Sequence, residues 1–370
     1  MKSQKTVVIA MSGGVDSSVA ALLLKDRGYN CIGITMKLWD YEQTGGNLNY
    51  ESGCCSMDSI NDARMVCAAI GIPHYVMNFS REFHQEVVDD FVNEYMAGRT
   101  PNPCVLCNMK IKWGTLIDKA KELGADYMAT GHYARVKYNQ ASGKYELFKG
   151  ADKAKDQSYA LWGISQGNLA KTIFPLGELT KKEIRDIAQK HGMRTAAKKE
   201  SMEICFVPDK DYNRFLKHTV TGLEEKVASG SLLNIEGKKI GEHKGYPFYT
   251  IGQRRGIGTG FGKPMYVVDI RPEKNEVVLG EDSDLLSSEL TAKNVNIFSG
   301  IPPEDGTAVQ AKIRYKSPAE PAMLFKHKDA GLTVRFMQPQ RAITPGQSVV
   351  FYDDDKVLGG GIIETSIKDN

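Results

Sequence analysis

Short apolar runs alternate with amphipathic stretches from residue 6 to about residue 205. Phe83, Val87, Phe91 and Tyr95 recur at every fourth position, a spacing that predicts a helix with one buried stripe. Alternating strands and helices predict a doubly wound parallel α/β sheet that binds its ligands at the carboxyl ends of the strands. The predicted strands are Thr6–Met11, Asn30–Met36, His74–Asn78 and Tyr127–Thr130, and the predicted helices include Val15–Lys25, Ser59–Ile70 and Lys112–Leu123.

The pattern changes after about residue 210. A short helix is predicted at Asp211–His218, and a glycine-rich stretch with short strands continues to about residue 280. From about residue 290 the chain shows only β signals separated by turns, which predicts a small antiparallel β-barrel. We therefore expect three domains, with residues 1–210 catalytic, 211–280 a small central domain and 281–370 the barrel. The barrel strands are predicted at Val295–Phe298, Ala308–Tyr315, Leu332–Phe336, Ser348–Tyr352 and Val357–Ile363.

Composition fits a globular protein of 370 residues, with 41% hydrophobic and 25% charged residues. No apolar stretch approaches the ~20 residues of a membrane span, and no secretion signal is apparent at the start, so we expect a cytoplasmic protein. The odd number of seven cysteines agrees with a reducing compartment. The net charge of +3 is small, but Lys181–Lys199 holds seven Lys/Arg against two acids. That stretch is either a basic surface that contacts the phosphates of a nucleic acid or an ordinary solvent-exposed helix face.

One loop between the first strand and the first helix has the composition of a phosphate cradle. Two glycines let backbone N–H groups approach a ligand closely, and the helix N-terminus favours negative charge. The lysine of a Walker A loop is missing. Asp16 would repel phosphate unless Mg²⁺ bridges them, which implies a Mg–nucleotide. The alternative is a plain glycine-rich turn. The candidate ATP-binding residues here are Ala10, Met11, Ser12, Gly13, Gly14, Val15, Asp16 and Ser17.

Ser12-Gly13-Gly14-Val15-Asp16-Ser17 resembles the loop of the PP-loop ATP pyrophosphatases, an adenine nucleotide alpha hydrolase-like superfamily. The resemblance implies an enzyme that releases pyrophosphate from ATP and leaves AMP on a substrate oxygen. Met36, at the end of the second strand, would lie where such folds take up adenine, although by spacing alone it is an ordinary core residue. Gly131 is placed to let the nucleotide approach the backbone.

Cysteines at two distant positions in the sequence supply the second chemical signal. Cys104 and Cys107 follow a segment with prolines at 101 and 103, so both are predicted on a loop. Cys205 stands alone about a hundred residues later. Thiolates attack electrophiles or bind metal. A structural zinc half-site is the alternative for Cys104 and Cys107, but the sequence supplies no second C-x-x-C to complete it.

Seven further blocks of sequence carry a second resemblance, and they are Thr100–Asn108, Ala129–Ala134, Lys155–Tyr159, Glu203–Phe206, Thr250–Gly256, Lys312–Tyr315 and Thr344–Gln347. Over nearly the whole chain these blocks resemble the tRNA-specific 2-thiouridylase family (MnmA/TrmU). The resemblance implies that ATP adenylates the wobble uridine of the tRNAs for Lys, Glu and Gln. It further implies that a cysteine desulfurase or relay protein loads Cys205 with a persulfide, and that Cys107 is the nucleophile that releases the sulfur and forms a transient disulfide with Cys205.

The same resemblance implies which residues contact RNA. Asn102, Pro103 and Cys104 would contact the target base, which is easily flipped from a single-stranded anticodon loop. Without the resemblance, Tyr315 would be taken for a core residue and Gln347 for a turn residue. Arg254 and Arg255, between glycines, are further candidates for phosphate contact. The other implied tRNA contacts are His132, Lys155, Asp156, Gln157, Arg314, Tyr315 and Gln347.

Three alternatives stay open at this point. Some family members carry Asp where this chain has Cys104, and three thiols at Cys104, Cys107 and Cys205 could instead hold a [4Fe–4S] cluster. A PP-loop ligase acting on a small molecule would share the nucleotide loop but has no use for paired thiols. A non-catalytic RNA-binding or scaffold protein would keep the loop only as a relic.

Overall fold

The structure is a computed structural model, and it describes residues 4–39, 56–198, 204–257 and 262–367. Cys54, Cys55, Lys199, Glu203 and Gly258 therefore lie outside the described residues. The chain divides into two compact units. The first unit comprises residues 1–87, 104–211 and 355–357, and the second comprises residues 88–103, 212–354 and 358–370.

The strands of the described residues are numbered along the chain. They are β1 (Thr6–Ala10), β2 (Asn30–Lys37), β3 (His74–Asn78), β4 (Tyr127–Ala129), β5 (Ala134–Asn139), β6 (Lys144–Lys149), β7 (Thr172–Ile173), β8 (Gly230–Leu233), β9 (Lys239–His243), β10 (Tyr266–Arg271), β11 (Glu276–Gly280), β12 (Leu286–Ile297), β13 (Thr307–Lys312), β14 (Glu320–Lys326), β15 (Leu332–Arg341), β16 (Ser348–Asp353) and β17 (Lys356–Ile367).

The helices are numbered in the same way. The α-helices are α1 (Val15–Asp26), α2 (Met57–Ala69), α3 (Ser80–Phe83), α4 (Asp89–Met96), α5 (Pro103–Leu106), α6 (Ile117–Glu122), α7 (Gln166–Leu169), α8 (Lys181–Lys190), α9 (Tyr212–Thr219) and α10 (Leu223–Lys226). Two π-helical segments join α-helices, at His84–Val88 and Cys107–Leu116. Within the described ranges, no helix is long and apolar enough to span a membrane.

The first unit is built on a parallel sheet with strand order β3-β2-β1-β4-β7. Val7 and Ile9 of β1 lie in one apolar cluster with Leu24 of α1, and Val8, which points to the opposite face, is also fully buried. A strand buried on both faces explains the continuous apolar run, because parallel sheets are covered on both sides. The predicted doubly wound sheet is confirmed. The hairpin β5–β6 was not predicted, and it pairs with Lys356 and Val357.

The second unit contains a four-stranded sheet of order β10-β11-β8-β9 and a closed antiparallel barrel. The barrel runs β12-β15-β14-β13-β16-β17 and closes by pairing β12 with β17. Alternate side chains such as Val309, Val334 and Phe351 fill its interior, which is the period of two expected for barrel strands. The predicted barrel is confirmed, although β14 was missed and β13 ends at Lys312 rather than at Tyr315.

Two of the predicted helices can be compared with the structure residue by residue. The four-residue stripe is confirmed, since Phe83, Val87, Phe91 and Tyr95 are each at most 6% exposed. The stripe spans α3, the π-helical turn and α4. The second predicted helix begins two residues earlier than expected, at Met57, because the Ser56 side chain accepts a hydrogen bond from the Ser59 amide and caps it.

Candidate nucleotide and thiol site

The loop between β1 and α1 is held in a compact turn by its own serines. The Ser17 hydroxyl accepts from the Ser12 amide at 3.2 Å and donates to the Gly14 carbonyl at 3.1 Å. Gly13 has φ +68°, and a Cβ there would lie 2.0 Å from the carbonyl oxygen of Ser59. Only glycine fits such a position. The loop is therefore a fixed backbone cradle at the N-terminus of a twelve-residue helix, a geometry suited to anions.

Gly131 and Met36 lie at the same edge of the sheet as this loop. A Cβ on Gly131 would come within 2.9 Å of the Asp16 carbonyl carbon and the Ser17 nitrogen, so the end of β4 contacts the start of α1. Met36 lies two residues beyond Ile34, which pairs with Ala10 at the end of β1. Its side chain is half-buried. These predicted residues thus share the carboxyl edge of the parallel sheet.

Asp16 has an ion-pair partner that sequence analysis did not assign to the site. The Lys181 ammonium lies 2.8 Å from both carboxylate oxygens of Asp16, and the Tyr133 hydroxyl donates to Oδ1 at 2.7 Å. The Lys181 side chain is 11% exposed, whereas that of Asp16 is 32% exposed. The Mg²⁺ expected from the charge of Asp16 stays a prediction. The protein itself supplies a counter-charge.

Lys198 also contacts the loop between β1 and α1. Its ammonium donates to the Gly13 carbonyl at 3.0 Å, the Ser59 hydroxyl at 3.1 Å and the Asp62 carboxylate at 2.8 Å. Lys182 and Lys190 of the same basic stretch are exposed. The stretch between residues 181 and 198 is therefore divided. Part of it faces solvent, and two of its lysines, Lys181 and Lys198, contact the loop between β1 and α1 or the first turn of α1.

The segment Lys155-Asp156-Gln157 is hydrogen-bonded inside the first unit. The Asp156 carboxylate accepts from the Gly150 amide at 3.0 Å and from both the amide and the hydroxyl of Ser158 at 3.1 and 2.9 Å. Gln157 exchanges two hydrogen bonds of 3.0 Å with the backbone of Tyr133, whose hydroxyl binds Asp16. These contacts join the segment, through Tyr133, to Asp16 at the start of α1.

Cys104 and Cys107 lie on a helix, so the predicted loop is wrong. Pro103 is the first residue of α5, and the π-helical segment starts at Cys107. Proline is well tolerated at the first helical position, where its missing N–H would have no intrahelical partner. The Cys104 side chain is exposed and that of Cys107 is half-exposed. The residue directly after Cys107, Asn108, donates to the Ala160 carbonyl at 2.9 Å and accepts from Lys112 at 2.9 Å.

Cys205 lies in a tight turn. The turn is closed by a 2.9 Å bond from the Val207 amide to the Ile204 carbonyl. Cys205 is half-exposed, and the next residue, Phe206, is buried edge-to-face against Phe83 with ring centroids 5.6 Å apart. The buried phenyl ring anchors the turn and leaves the thiol accessible to solvent. Cys104, Cys107 and Cys205 all belong to the first unit.

The part of the chain that the structure describes contains no preformed metal site. No set of three or more His, Cys, Asp or Glu side chains there is placed to hold a metal ion. The three thiols proposed as ligands of an iron–sulfur cluster are all described residues and do not form such a set. These three thiols therefore do not form a preformed cluster site among the described residues.

His132 is buried and directly follows Gly131 near the carboxyl edge of the parallel sheet. Its Nδ1 lies 2.6 Å from the Thr130 hydroxyl, and its ring lies 5.7 Å from that of Trp113 and 6.1 Å from that of Phe174. Burial, and secondarily the charge of Lys112, lowers the pKa of His132 well below its usual range. The imidazole is therefore neutral at physiological pH. Its assignment as a tRNA contact stays a prediction.

The remaining predicted RNA contacts belong to the second unit. Tyr315 lies in a turn after β13, is 43% exposed and lies near Lys312, whose ammonium is 5.7 Å from the ring centroid. It is therefore not a core residue. The Arg314 guanidinium donates to the Arg341 carbonyl. Gln347 donates through Nε2 to the carbonyls of Thr100 and Pro101, at 3.0 Å each.

Three family models together match most of the chain. The first, described as a tRNA methyl transferase HUP domain, matches residues 5–209. A tRNA methyl transferase PRC-barrel domain matches residues 213–281, and an aminomethyltransferase β-barrel domain matches residues 287–363. The first model covers the unit that carries the cradle and the thiols.

Curated relatives match the chain from end to end. A tRNA-specific 2-thiouridylase MnmA from Salinibacter ruber is 50% identical over 98% of this chain and 95% of its own length. A protein of the same name from Carboxydothermus hydrogenoformans is 50% identical over 98% of both chains. Among solved structures, a 4-thiouridine synthetase in complex with RNA and ATP has a TM-score of 0.35 at 18% identity, covering 59% of this chain and 51% of that chain. With half of its residues shared with these relatives over nearly its full length, the chain belongs to the tRNA-specific 2-thiouridylase family.

Proposed function

We propose that this protein is an ATP-dependent tRNA sulfurtransferase that replaces the 2-oxygen of the wobble uridine with sulfur in the tRNAs for Lys, Glu and Gln. One observation carries the proposal. In a chain of this family, a backbone cradle at a helix N-terminus and the half-exposed thiols of Cys107 and Cys205 belong to one compact unit. The chemistry needs both parts, since a carbonyl oxygen leaves only after activation.

In the first step ATP, carried in with its own Mg²⁺, binds with its phosphates over the loop of Ser12 to Ser17. Backbone N–H groups and the N-terminus of α1 stabilise negative charge there. The 2-carbonyl oxygen of uridine attacks the α-phosphorus, and pyrophosphate leaves. Met36 would contact the adenine, and Gly131 would leave room for the nucleotide beside Asp16. The product is an adenylated uridine with AMP as its leaving group.

In the second step sulfur reaches the activated carbon from a persulfide on Cys205. A cysteine desulfurase or a relay protein supplies that persulfide. The Cys107 thiolate attacks the Cys205 sulfur that carries the persulfide group, releases hydrosulfide and forms a Cys107–Cys205 disulfide. Hydrosulfide adds to C2 and AMP departs, which leaves a C=S bond. A thiol reductant then returns both cysteines to thiols. A transient disulfide of this kind is compatible with a reducing cytoplasm.

RNA binding would use both units of the protein. Asn102, Pro103 and Cys104 are assigned to the target base, and the anticodon loop offers that base without the need to open a duplex. The exposed ring of Tyr315 offers a stacking surface near the charge of Lys312. The further proposed contacts are His132, Lys155, Asp156, Gln157, Arg314 and Gln347.

The test uses purified protein, Mg–ATP, unmodified tRNA transcript, a cysteine desulfurase and cysteine, with mass spectrometry of the anticodon nucleosides. We expect wobble 2-thiouridine from the wild type. Cys107→Ser and Cys205→Ser should lose thiolation and keep tRNA-dependent pyrophosphate release. Cys31→Ala, which removes a buried core thiol, is the matched control and should keep both.

The outcomes separate the alternatives. Full thiolation by Cys107→Ser would refute the sulfur chemistry. In a parallel reaction that also contains S-adenosylmethionine as methyl donor, a methylated rather than thiolated uridine would favour a methyltransferase. If pyrophosphate release needs a small molecule instead of tRNA, a ligase is favoured, and absence of any release favours a scaffold.

A further inference from the structure

Gln347 is bonded to the protein backbone at the segment assigned to the target base. Its Nε2 lies 3.0 Å from the Thr100 carbonyl and 3.0 Å from the Pro101 carbonyl. Two carbonyl oxygens can be met only by the NH₂ end of the amide, so the orientation of the side chain is fixed by its partners. Both N–H donors are used within the protein.

The turn that carries Gln347 makes further contacts with the same segment. The Thr100 amide donates to the Pro345 carbonyl at 2.9 Å. Gly346 has φ +90°, and a Cβ at this position would lie 2.8 Å from the Thr100 carbonyl oxygen and 3.0 Å from Oε2 of Glu94. The glycine therefore permits an approach that any side chain would block.

The residue before this segment is held as well. The Arg99 guanidinium makes a two-pronged contact with the Glu94 carboxylate, with Nε 2.7 Å from Oε2. The Arg99 amide also donates to the Glu94 carbonyl at 2.8 Å. Residues 99, 100 and 101 are thus each bound by contacts from elsewhere in the second unit.

The composition of the segment explains why it needs such support. Pro101 and Pro103 have no N–H, so the segment offers few backbone donors for a helix or a sheet of its own. An amide side chain that binds two successive carbonyls replaces the missing regular structure. Directly after the segment, the chain continues into α5 and reaches Cys104.

We propose that Gln347, through the NH₂ end of its amide, is a positioning residue that holds Asn102 and Pro103 ready for the target base. The inference rests on the proposed function, which assigns Asn102 and Pro103 to that base. A positioning role acts on catalysis after tRNA has bound. A direct contact would act on tRNA affinity.

The test compares Gln347→Met, which keeps the length of the side chain but has no N–H, with the wild type. Gln340→Ala is the matched control, because the exposed Gln340 amide bonds only locally, to the Gln338 carbonyl at 2.8 Å. Loss of two hydrogen bonds should lower kcat on the order of tenfold and change KM for tRNA by less than about twofold. Hydrogen exchange at Thr100 should accelerate in the tRNA-free Gln347→Met protein and not in the control.

A raised KM with unchanged kcat and unchanged exchange would overturn the proposal. If Gln347→Met does not fold, as judged by circular dichroism, Gln347→Ala and Gln347→Glu provide the same comparison, and the carboxylate would repel both carbonyls. The exchange measurement is independent of thiolation. A wild type that never forms thiouridine would refute the proposed function. The exchange measurement would then still show whether Gln347 holds the segment at Thr100.

Discussion

The contact between Lys181 and Asp16 makes the nucleotide loop depend on a lysine that is 165 residues away in sequence. Lys181→Met keeps the apolar stem and removes only the ammonium group. Asp16 then retains the Tyr133 hydroxyl at 2.7 Å but loses two charge-assisted bonds of 2.8 Å. A carboxylate at the start of α1 without its counter-charge should destabilise the first unit and oppose the binding of phosphate.

The magnitude follows from the exposure of the two side chains. Breaking a buried ion pair destabilises by about 3–5 kcal/mol, whereas exposed pairs contribute about 0–1 kcal/mol. Lys181 is 11% exposed and Asp16 is 32% exposed. Water screens the carboxylate in part, so we expect an intermediate loss of about 2 kcal/mol. Binding of Mg–ATP should weaken on the order of tenfold, which corresponds to about 1.4 kcal/mol.

The chain offers a convenient probe for this measurement. All three tryptophans, Trp39, Trp113 and Trp162, belong to the first unit and are at most 4% exposed. Urea unfolding followed by tryptophan fluorescence therefore reports on that unit. Lys182→Met, at an exposed lysine of the same helix, is the matched control and should change stability by less than about 0.5 kcal/mol.

A double-mutant cycle with Asp16→Asn isolates the interaction. If the charge of Asp16 is the reason for the loss, adding Asp16→Asn to Lys181→Met should recover part of the stability and part of the Mg–ATP affinity. The coupling free energy should be about 1–2 kcal/mol. Coupling near zero, or equal effects of Lys181→Met and Lys182→Met, would refute the reasoning.

Three further predictions concern the same unit. Gly131→Ala places a Cβ 2.9 Å from the backbone of Asp16 and Ser17 and should weaken Mg–ATP binding at least about tenfold, whereas Gly167→Ala, with open space around its Cβ, should not. Below pH ~6.5 the unfolded chain binds a proton at His132, whereas the folded protein, in which the His132 pKa is lowered, does not, so the free energy of unfolding falls as the pH falls. His132→Gln should remove this contribution of about 1.4 kcal/mol per pH unit; an unchanged slope in urea unfolding would contradict this. Thr180→Ala removes the capping box of α8 and should lower the urea midpoint by the equivalent of about 1 kcal/mol, unlike Lys182→Met.

Patterns of local sequence were sufficient for the sheet and the barrel. The run Thr6–Met11 predicted β1 because a strand buried on both faces has no polar alternation to obscure it. The same reasoning failed at Cys104 and Cys107, where two prolines suggested a loop. Proline breaks a helix interior but is favoured at its first position, which is where Pro103 lies. The missing information was the position of the helix start.

Contacts between distant residues explain what sequence reading missed at the site. Lys181 was counted only as one charge in a basic stretch, and nothing in its neighbourhood identifies Asp16 as its partner. One local signal was available. Thr180-Lys181-Lys182-Glu183 has the spacing of a capping box, which the structure contains in full. It fixes Lys181 at the first position of α8, while the direction of the ammonium depends on the tertiary fold.

The lysines of the basic stretch fall into two groups. A face that tracks RNA phosphate keeps its ammonium groups in water, as Lys182 and Lys190 do. Lys181 and Lys198 instead bind Asp16 and the Gly13 carbonyl, on opposite parts of the cradle. Since Cys205 follows Lys198 by only seven positions, one length of chain both braces the nucleotide loop and carries the proposed persulfide. Under the proposed function, ATP activation and sulfur delivery would then share a structural support, and loss of either lysine should impair the first step before the second.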